Sequence, residues 1–245
     1  KDALAGVAAG LKQRELEPKS RDDLDRYRQM DREWHETQFN VVEEWDGPGI
    51  HPGQAIEKVS EVFGDQAIYT VDGGNTALWA YSLLPSTPPR SYHSILELGM
   101  LGTGIPSAIG AKFGEPDREV VCVTGDGAAG FNIMEMQTAV HNGTKVTTVV
   151  LAEGNWTMEE PNQLALYGRT FGTEIGPVRW DLIAEGLGCH GEHVDSLDEI
   201  EPALQRARDS EVPAVIAIHT DADANRAMPP EMVGRFFEVY SGPIE

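Results

Sequence analysis

The sequence predicts a doubly wound α/β domain, with a mostly parallel sheet and helices on both faces, preceded by a helical remnant of another domain. Three observations indicate this fold. Apolar runs such as VVCV and TTVVL lack polar alternation, which is typical of strands buried on both faces of a parallel sheet. Segments of helical length separate these runs, so strands and helices alternate. Three of the strands end in polar turns, DGGN, GDG and AEGN, at the edge where such sheets bind ligands.

The first half of the alternating region contains two predicted strands and three predicted helices. An amphipathic helix over Gln54–Phe63 precedes a strand over Ala67–Val71, which ends in DGGN. A second helix follows around Thr76–Leu83. After a Pro-rich loop, the Gly-rich segment ELGMLGTGIPSAIGAKFG leads into a helix over Pro106–Lys112, and EVVCVTGDG is the next strand with its turn.

The second half continues the alternation to the last strand. A helix is predicted over Asn132–His141, and KVTTVVLAEGN is a strand and turn. A helix over Trp180–Leu187, a short strand HGEHV and a helix over Leu197–Asp209 precede the final strand, AVIAIHT. These elements complete the doubly wound domain, which we place at residues 46–245.

Residues 1–45 differ from the rest of the chain. They are charged, poor in β-branched residues and interrupted by Pro18, a pattern that predicts helix, linker and helix. Because no strand is present from which to build a core, we interpret them as the tail of a preceding domain. The segment DGPGIHPG, Asp46 to Gly53, is the predicted boundary.

Composition excludes several classes of partner. The net charge of −21 argues against nucleic acid and anionic membranes, because phosphate binding requires clustered Lys and Arg. No apolar run approaches the ~18–20 residues that span a bilayer. The two cysteines, Cys122 and Cys189, lie in apolar settings and indicate no disulfide framework, so we expect a cytoplasmic protein.

The polar turns indicate a metal-bridged anion. Glycines allow the backbone to approach a phosphate group, and the N–H groups at a helix start bind it. Asp126 of GDG would repel phosphate unless a divalent cation stood between them, and carboxylate and carbonyl oxygens are suitable ligands for such a cation. These turns therefore predict a diphosphate held through Mg²⁺.

The ordered set of motifs resembles the diphosphate-binding domain of thiamine-diphosphate enzymes of the acetolactate synthase, pyruvate oxidase and benzoylformate decarboxylase group. The resemblance covers residues 50 to 225. It includes IHPGQAIEKVSEVFGDQAIYTVDGGNTALWA, LGMLGTGIPSAIGAKFGEPDREVVCVTGDG, EMQTAVHNGTKVTTVVL and WDLIAEGLGCHGEHVDSLDEIEPALQRA. It implies thiamine diphosphate and Mg²⁺ as cofactors, and it identifies residues 1–45 as the end of the family's central domain.

The resemblance assigns the metal and the diphosphate to particular residues. Asp126 would be a Mg²⁺ ligand, and Asn155 would offer its backbone carbonyl to the same ion. The residues that would face the diphosphate are Asn75, Thr76, Gly125, Gly127 and Ala128.

Other residues would meet the rest of the cofactor. Gly99 matches the position whose carbonyl receives the amino group of the aminopyrimidine. Leu101 matches the large apolar residue that holds the cofactor in a bent shape, which brings that amino group to the reactive thiazolium carbon. Trp156 and Met158 begin the segment that covers the substrate side in relatives.

The main departure from the family pattern is Glu153. Relatives carry Asn-Asn after this strand, and the second Asn, a metal ligand, lies 27 positions beyond the aspartate; here that position is Glu153, preceded by Ala152. A glutamate adds charge beside a diphosphate, a repulsion of about 3 kcal/mol at ~5 Å before a metal offsets it. Either Glu153 ligates the ion, or the Asn155 side chain replaces it, or the site is degenerate. We favour ligation.

Two neighbouring features have a structural interpretation. Trp79 is expected to be a core residue. Glu159 and Glu160 are expected to begin an exposed helix, where acidic residues are favourable.

The resemblance implies a decarboxylase, carboligase or lyase that acts on a 2-oxo acid or an acyloin. The glutamate that activates the cofactor in this family belongs to a pyrimidine-binding domain, and nothing in 245 residues resembles that domain. We therefore expect that domain on a partner subunit or elsewhere in a longer polypeptide, and a homo- or hetero-oligomer, either dimer or tetramer.

Two alternatives stay open. A non-catalytic or regulatory subunit would keep the fold with a degenerate metal site, as Ala152 and Glu153 suggest. A nicotinamide-binding domain is weaker, because no G-x-G-x-x-G follows the first strand.

Overall fold

The computed structural model describes residues 6, 9–10, 21–95 and 99–229. The chain forms two compact units, Lys1–Asn40 and Val41–Glu245. In the first unit, helix α1 (Arg21–Gln38) confirms the second of the two predicted N-terminal helices, while the first lies largely outside the described residues. The domain boundary near residue 46 stays a prediction.

The second unit is built on a six-stranded parallel sheet. Its strands are β1 (Ile68–Asp72), β2 (Tyr92–Ser94), β3 (Val120–Gly125), β4 (Thr147–Ala152), β5 (His190–Val194) and β6 (Ala214–His219). They lie in the order β2-β1-β3-β4-β6-β5, and every neighbouring pair is parallel. The predicted doubly wound α/β fold is therefore confirmed.

The helices of this unit follow the predicted alternation closely. In chain order they are α2 (Asn40–Glu43, at the start of the unit), α3 (Pro52–Phe63), α4 (Asn75–Leu83), α5 (Gly104–Gly114), α6 (Asp126–Asn132), α7 (Glu135–His141), α8 (Glu160–Tyr167), α9 (Trp180–Gly186), α10 (Leu197–Asp209) and α11 (Ala222–Arg226). The start of α3 has a reciprocal cap: the His51 ring accepts from Gly53 N, and the Gln54 side chain accepts from His51 N.

The central strands are buried on both faces, as their unbroken apolar sequences predict. Val120 and Cys122 pack into one core cluster with residues of α5, α7 and α9. Val121 and Val123 alternate with them and point to the opposite face, where they are also fully buried. Helices α3, α4 and α10 pack together on that opposite face.

The structure corrects several local predictions. The helix expected over Asn132–His141 is α7 and begins only at Glu135, and the short helix before it, α6, was not predicted. Strand β2 and helix α11 were not predicted. Strand β2 has three residues, too few for a periodic pattern, and is defined only by its pairing with β1.

Two further observations on the described residues concern disulfide bonds and membrane-spanning helices. Cys122 and Cys189 are both buried and free, as expected. No helix in the described ranges is long and apolar enough to cross a membrane.

Candidate functional site

The strand order reverses at β1, and the candidate site lies at the carboxyl ends of β1, β3 and β4. The chain leaves β1 for β2 on one side and then crosses to β3 on the other, which makes this the topological switch point of the sheet. Asp72 pairs in register with Thr124, and Gly125 pairs with Leu151. The three turns that follow these strands therefore stand side by side.

Ten of the twelve predicted site residues line one recess between these turns. They are Asn75, Thr76, Gly125, Asp126, Gly127, Ala128, Glu153, Asn155, Trp156 and Met158. The recess also contains three residues that the sequence analysis did not single out, Gly73, Gly74 and Thr157. The first two belong to the quoted DGGN turn, whereas nothing in the sequence distinguishes Thr157.

The other two predicted residues, Gly99 and Leu101, do not line this recess. Gly99 is exposed and has a φ of +60°, a left-handed conformation that suits glycine. Leu101 is half-buried. Their expected contacts with the pyrimidine end of the cofactor stay predictions.

The recess is narrow because side chains lie close to glycines. A Cβ on Gly127 would lie 2.4 Å from the Trp156 ring, and one on Gly74 would lie 3.0 Å from Met158. The recess holds about 40 Å³ and adjoins larger cavities of about 540 and 420 Å³, which share Asp126 with it. Trp156 and Met158 therefore occupy the space beside these two glycines, and a side chain at either glycine would displace them.

Asp126 connects the turns after β3 and β4. Its Oδ1 accepts a hydrogen bond from Gly127 N at 2.7 Å, and its Oδ2 accepts one from Gly154 N at 2.6 Å. The residue is only 4 % exposed. Burial raises the pKa of this carboxyl, and the backbone N–H groups oppose the shift.

Asp72 connects β1 to the glycine loop in the same way. Its Oδ1 accepts from Gly73 N and its Oδ2 from Gly104 N, both at 2.7 Å. Burial raises the pKa of Asp72 as well. In the sequence this aspartate is distinguished only as the first residue of the DGGN turn. Asp72 lies shortly before helix α4, and nothing in that position predicts its contact with Gly104.

Glu153 lies in the recess with both carboxylate oxygens hydrogen-bonded. Thr157 Oγ1 donates to Oε1 at 2.5 Å, and Asn225 Nδ2 donates to Oε2 at 2.6 Å. Asn75 Nδ2 in turn donates to Thr157 Oγ1 at 2.8 Å. Burial, together with repulsion from Asp126, raises the pKa of Glu153 to about 7 although its hydrogen bonds lower it.

Asn155 turns its side chain back onto its own loop. Its amide Nδ2 donates to the Glu153 carbonyl at 3.3 Å. The backbone on either side is fixed by hydrogen bonds to the 173–176 segment, from Trp156 N to Thr173 O and from Ile175 N to Gly154 O. The arrangement suits the predicted use of the Asn155 backbone carbonyl better than use of its side chain.

Two structural expectations are corrected or extended. Glu160 begins helix α8, whose following residues are mostly exposed, as expected, but Glu160 itself is buried: it is 6 % exposed, and Arg226 donates to both of its carboxylate oxygens at 2.7 and 3.0 Å. Trp79 is fully buried, as expected for a core residue, and its indole N–H also donates to Asn225 Oδ1 at 2.7 Å.

The donor set fits a hard divalent cation bound together with a diphosphate. Asp126 is buried and Glu153 is half-buried in the same recess, and loss of solvation raises the pKa of both carboxyl groups. In the described part of the chain no group of three His, Cys, Asp or Glu side chains has metal-binding geometry. The remaining ligands would have to be amide, carbonyl and phosphate oxygens, which Mg²⁺ accepts.

The fold and the recess define an α/β domain with a candidate ligand site at the switch point of its sheet. The sequence model of the family described as "Thiamine pyrophosphate enzyme, C-terminal TPP binding domain" matches residues 72–218. The chain belongs to this family, whose cofactor is thiamine diphosphate used alongside Mg²⁺.

Individual relatives have several activities. A sulfoacetaldehyde acetyltransferase of Alcaligenes xylosoxydans xylosoxydans is 34% identical over 167 residues, 68% of this chain and 28% of the relative. A probable acetolactate synthase of Mycobacterium bovis is 35% identical over 173 residues, 70% of this chain and 32% of the relative. The chain therefore spans about a third of the length of these relatives.

A solved structure has the same fold. The thiamine diphosphate-dependent 4-hydroxybenzoylformate decarboxylase of Rhodococcus jostii RHA1 aligns with a TM-score of 0.67 and 28% identity. The alignment covers 71% of this chain and 33% of the decarboxylase.

Proposed function

We propose that this chain is the diphosphate-binding part of a thiamine-diphosphate- and Mg²⁺-dependent enzyme that decarboxylates, ligates or cleaves a 2-oxo acid or an acyloin. The observation that carries the proposal is the recess at the switch point. Ten predicted residues from three separate turns converge there around the buried carboxylate of Asp126.

In this proposal the chain's residues hold and orient the cofactor. Asp126, Glu153 and the carbonyl of Asn155 hold Mg²⁺, while the glycines of the turns and the N–H groups at the start of α6 approach the diphosphate. Gly99 and Leu101 contact the pyrimidine and set the bend of the cofactor. When bound, thiamine diphosphate would supply the nucleophilic carbon for addition to a substrate carbonyl.

The substrate class is inferred from relatives rather than from contacts. The names of the relatives include an acetyltransferase, an acetolactate synthase and a decarboxylase. They support thiamine-dependent carbonyl chemistry and leave the direction of the reaction and the second substrate unassigned.

The proposed enzyme needs a pyrimidine-binding domain from a partner subunit or from another part of a longer polypeptide. That domain would supply the glutamate that activates the cofactor and would complete the site between subunits. The short length of the chain relative to its relatives supports this requirement.

The test is cofactor uptake by the purified protein in its native assembly. We expect one thiamine diphosphate and one Mg²⁺ per chain by native mass spectrometry, and 2-oxo acid consumption when the pyrimidine-binding domain is present. Asp126→Asn should reduce cofactor affinity about 100-fold, equivalent to ~2.7 kcal/mol. The control is Asp117→Asn, an exposed aspartate outside the recess. Wild-type protein that stays empty in excess cofactor would refute the proposal.

A second candidate is a non-catalytic subunit with a degenerate metal site. It is favoured by one observation, that both oxygens of Glu153 already accept hydrogen bonds from protein groups. Uptake of cofactor by the wild type separates the two candidates, and Glu153→Asn tests the ligand assignment within the first. If Glu153 is a ligand, the asparagine of relatives should preserve or improve cofactor retention. If Glu153→Asn changes nothing while Asn155→Ala abolishes retention, the ligand assignment to Glu153 is wrong.

A further inference from the structure

The carboxylate of Glu153 is held by a residue 72 positions further along the chain. Asn225 Nδ2 donates to Glu153 Oε2 at 2.6 Å, and Asn225 Oδ1 accepts from Trp79 Nε1 at 2.7 Å. Trp79 is fully buried and Asn225 is 9 % exposed. Two consecutive hydrogen bonds therefore connect the buried Trp79, through the Asn225 amide, to Glu153, the predicted metal ligand.

The donor and acceptor groups of these three residues fix the direction of the two hydrogen bonds. An indole N–H can only donate, so the oxygen of the Asn225 amide must face Trp79. The amino group of the amide then faces Glu153, whose ionised carboxylate can only accept. The amide orientation is thus determined by its two neighbours, and Asn225 presents a donor to Glu153 in a single arrangement.

The turn that carries Asn225 is itself anchored at several points. Asp221 Oδ1 accepts from Asp223 N at 2.9 Å and caps helix α11, while Asp221 N donates to Ile50 O at 2.8 Å. Arg226, the next residue after Asn225, is bound to the buried carboxylate of Glu160. Asn225 is therefore a donor with little freedom to move.

We propose that Asn225, with Trp79 behind it, is a positioning residue that orients the Glu153 carboxylate for the divalent cation. The turn at 221–226 thereby becomes part of the cofactor site, although it lies outside the three turns that line the recess. This inference rests on the proposed function, because it assigns a role toward the metal. The proposed role of Asn225 depends on the presence of a glutamate at position 153.

The first test is metal affinity in the purified full protein saturated with thiamine diphosphate, with Mn²⁺ as the probe for isothermal titration calorimetry. Asn225→Leu removes both hydrogen bonds without changing charge. We expect the Mn²⁺ dissociation constant to rise about 10- to 100-fold, as when an outer-shell partner of a metal ligand is removed. The matched control is Asn142→Leu, an exposed asparagine whose side chain donates to a backbone carbonyl of the preceding helix, α7. Its affinity should equal that of the wild type.

The second test separates positioning from a general loss of stability. In the double variant E153Q/N225D the donor and acceptor exchange places, the net charge is unchanged, and the residue at 225 can still accept from Trp79. In N225D alone two carboxylates face each other without a donor between them, whereas the double variant restores a donor–acceptor pair between positions 153 and 225. We expect the double variant to bind Mn²⁺ at least about tenfold more tightly than the sum of the single effects predicts.

The outcomes are distinguishable from those of the proposed function. Wild-type protein that takes up neither thiamine diphosphate nor Mn²⁺ refutes both. Wild-type uptake with unchanged affinity in Asn225→Leu, or with additive effects in the double variant, refutes only the role of Asn225. If Asn225→Leu lowers the thermal stability but leaves the Mn²⁺ dissociation constant unchanged, Asn225 contributes only to stability, and the inference is also refuted.

Discussion

Asp72 and Asp126 make the same pair of contacts at the ends of neighbouring strands. Each accepts a hydrogen bond at Oδ1 from the next residue's N–H and one at Oδ2 from a backbone N–H far along the chain. The distant partner is Gly104 for Asp72 and Gly154 for Asp126. Each aspartate therefore joins its own turn to another segment, and only Asp126 also lines the recess.

Asp72 should be needed for stability and for the shape of the glycine loop. Asp72→Asn places an amide where a carboxylate accepts two N–H groups, so at least one buried donor loses its acceptor. We expect a loss of about 1–3 kcal/mol in the free energy of unfolding, measured by urea denaturation. Cofactor affinity should fall as well, because Gly99 and Leu101 belong to this Gly-rich segment. Asp65→Asn, at an exposed position, is the control, and equal stability of the two variants would contradict the prediction.

Glu153 should make the metal-free protein less stable as pH rises. Its pKa is raised from 4.5 to about 7, chiefly by burial, so the folded state binds its proton more tightly than the unfolded state. The associated stability is fully present below about pH 4.5 and is lost as pH rises to about 7, with a total of ~3 kcal/mol. Comparing the melting temperature of wild type and Glu153→Gln across this range isolates the effect.

Metal binding should show the complementary pH dependence. Because a ligating carboxylate must lose its proton, Mn²⁺ affinity should rise with pH up to about 7 and then level off. In Glu153→Gln this part of the dependence should disappear. The same slope in both proteins would show that a different group titrates.

Gly127 should tolerate no side chain. A Cβ there would lie 2.4 Å from the Trp156 ring, so Gly127→Ala must displace the ring or the turn. We expect a loss of about 1–3 kcal/mol in stability, with weaker cofactor binding and a change in tryptophan fluorescence. Gly110→Ala is the matched control, because a Cβ at this exposed helical position meets nothing within 4 Å. It should stabilise the protein by up to about 1 kcal/mol, and a similar result for Gly127→Ala would contradict the structure.

Arg226 should contribute more than an ordinary surface arginine. Arg226→Ala leaves the Glu160 carboxylate, 8 % exposed at its side chain, without its bidentate partner. The arginine is itself 43% exposed, so we expect a cost of about 1–3 kcal/mol rather than the 3–5 kcal/mol of a fully buried pair.

The control for this prediction is Arg28→Ala. Arg28 pairs with Asp25 on the surface of α1, where both side chains are about two-thirds exposed. Its loss should cost less than ~1 kcal/mol, as measured by chemical denaturation. Equal costs for the two variants would mean that the Arg226–Glu160 pair gains nothing from burial.

The sequence by itself determined the class of fold and the location of the site. Unbroken apolar strands such as VVCV can be buried on both faces only in a parallel sheet covered by helices, and the carboxyl ends of parallel strands must meet at one edge. Residues in the turns after β1, β3 and β4 therefore converge although they are far apart in the chain. The same reasoning brought Asp126 and Glu153 into one recess.

Only the tertiary structure decided which side chains act on each other there. The partners of Glu153 and Glu160 are Asn225 and Arg226, 72 and 66 residues away, and no periodicity or spacing encodes such pairs. They arise because the turn after β6 packs against the turn after β4, the neighbouring strand in the sheet. Local sequence reports the burial and direction of a strand, whereas the hydrogen bonds of its terminal residues depend on which segments the sheet order places beside it.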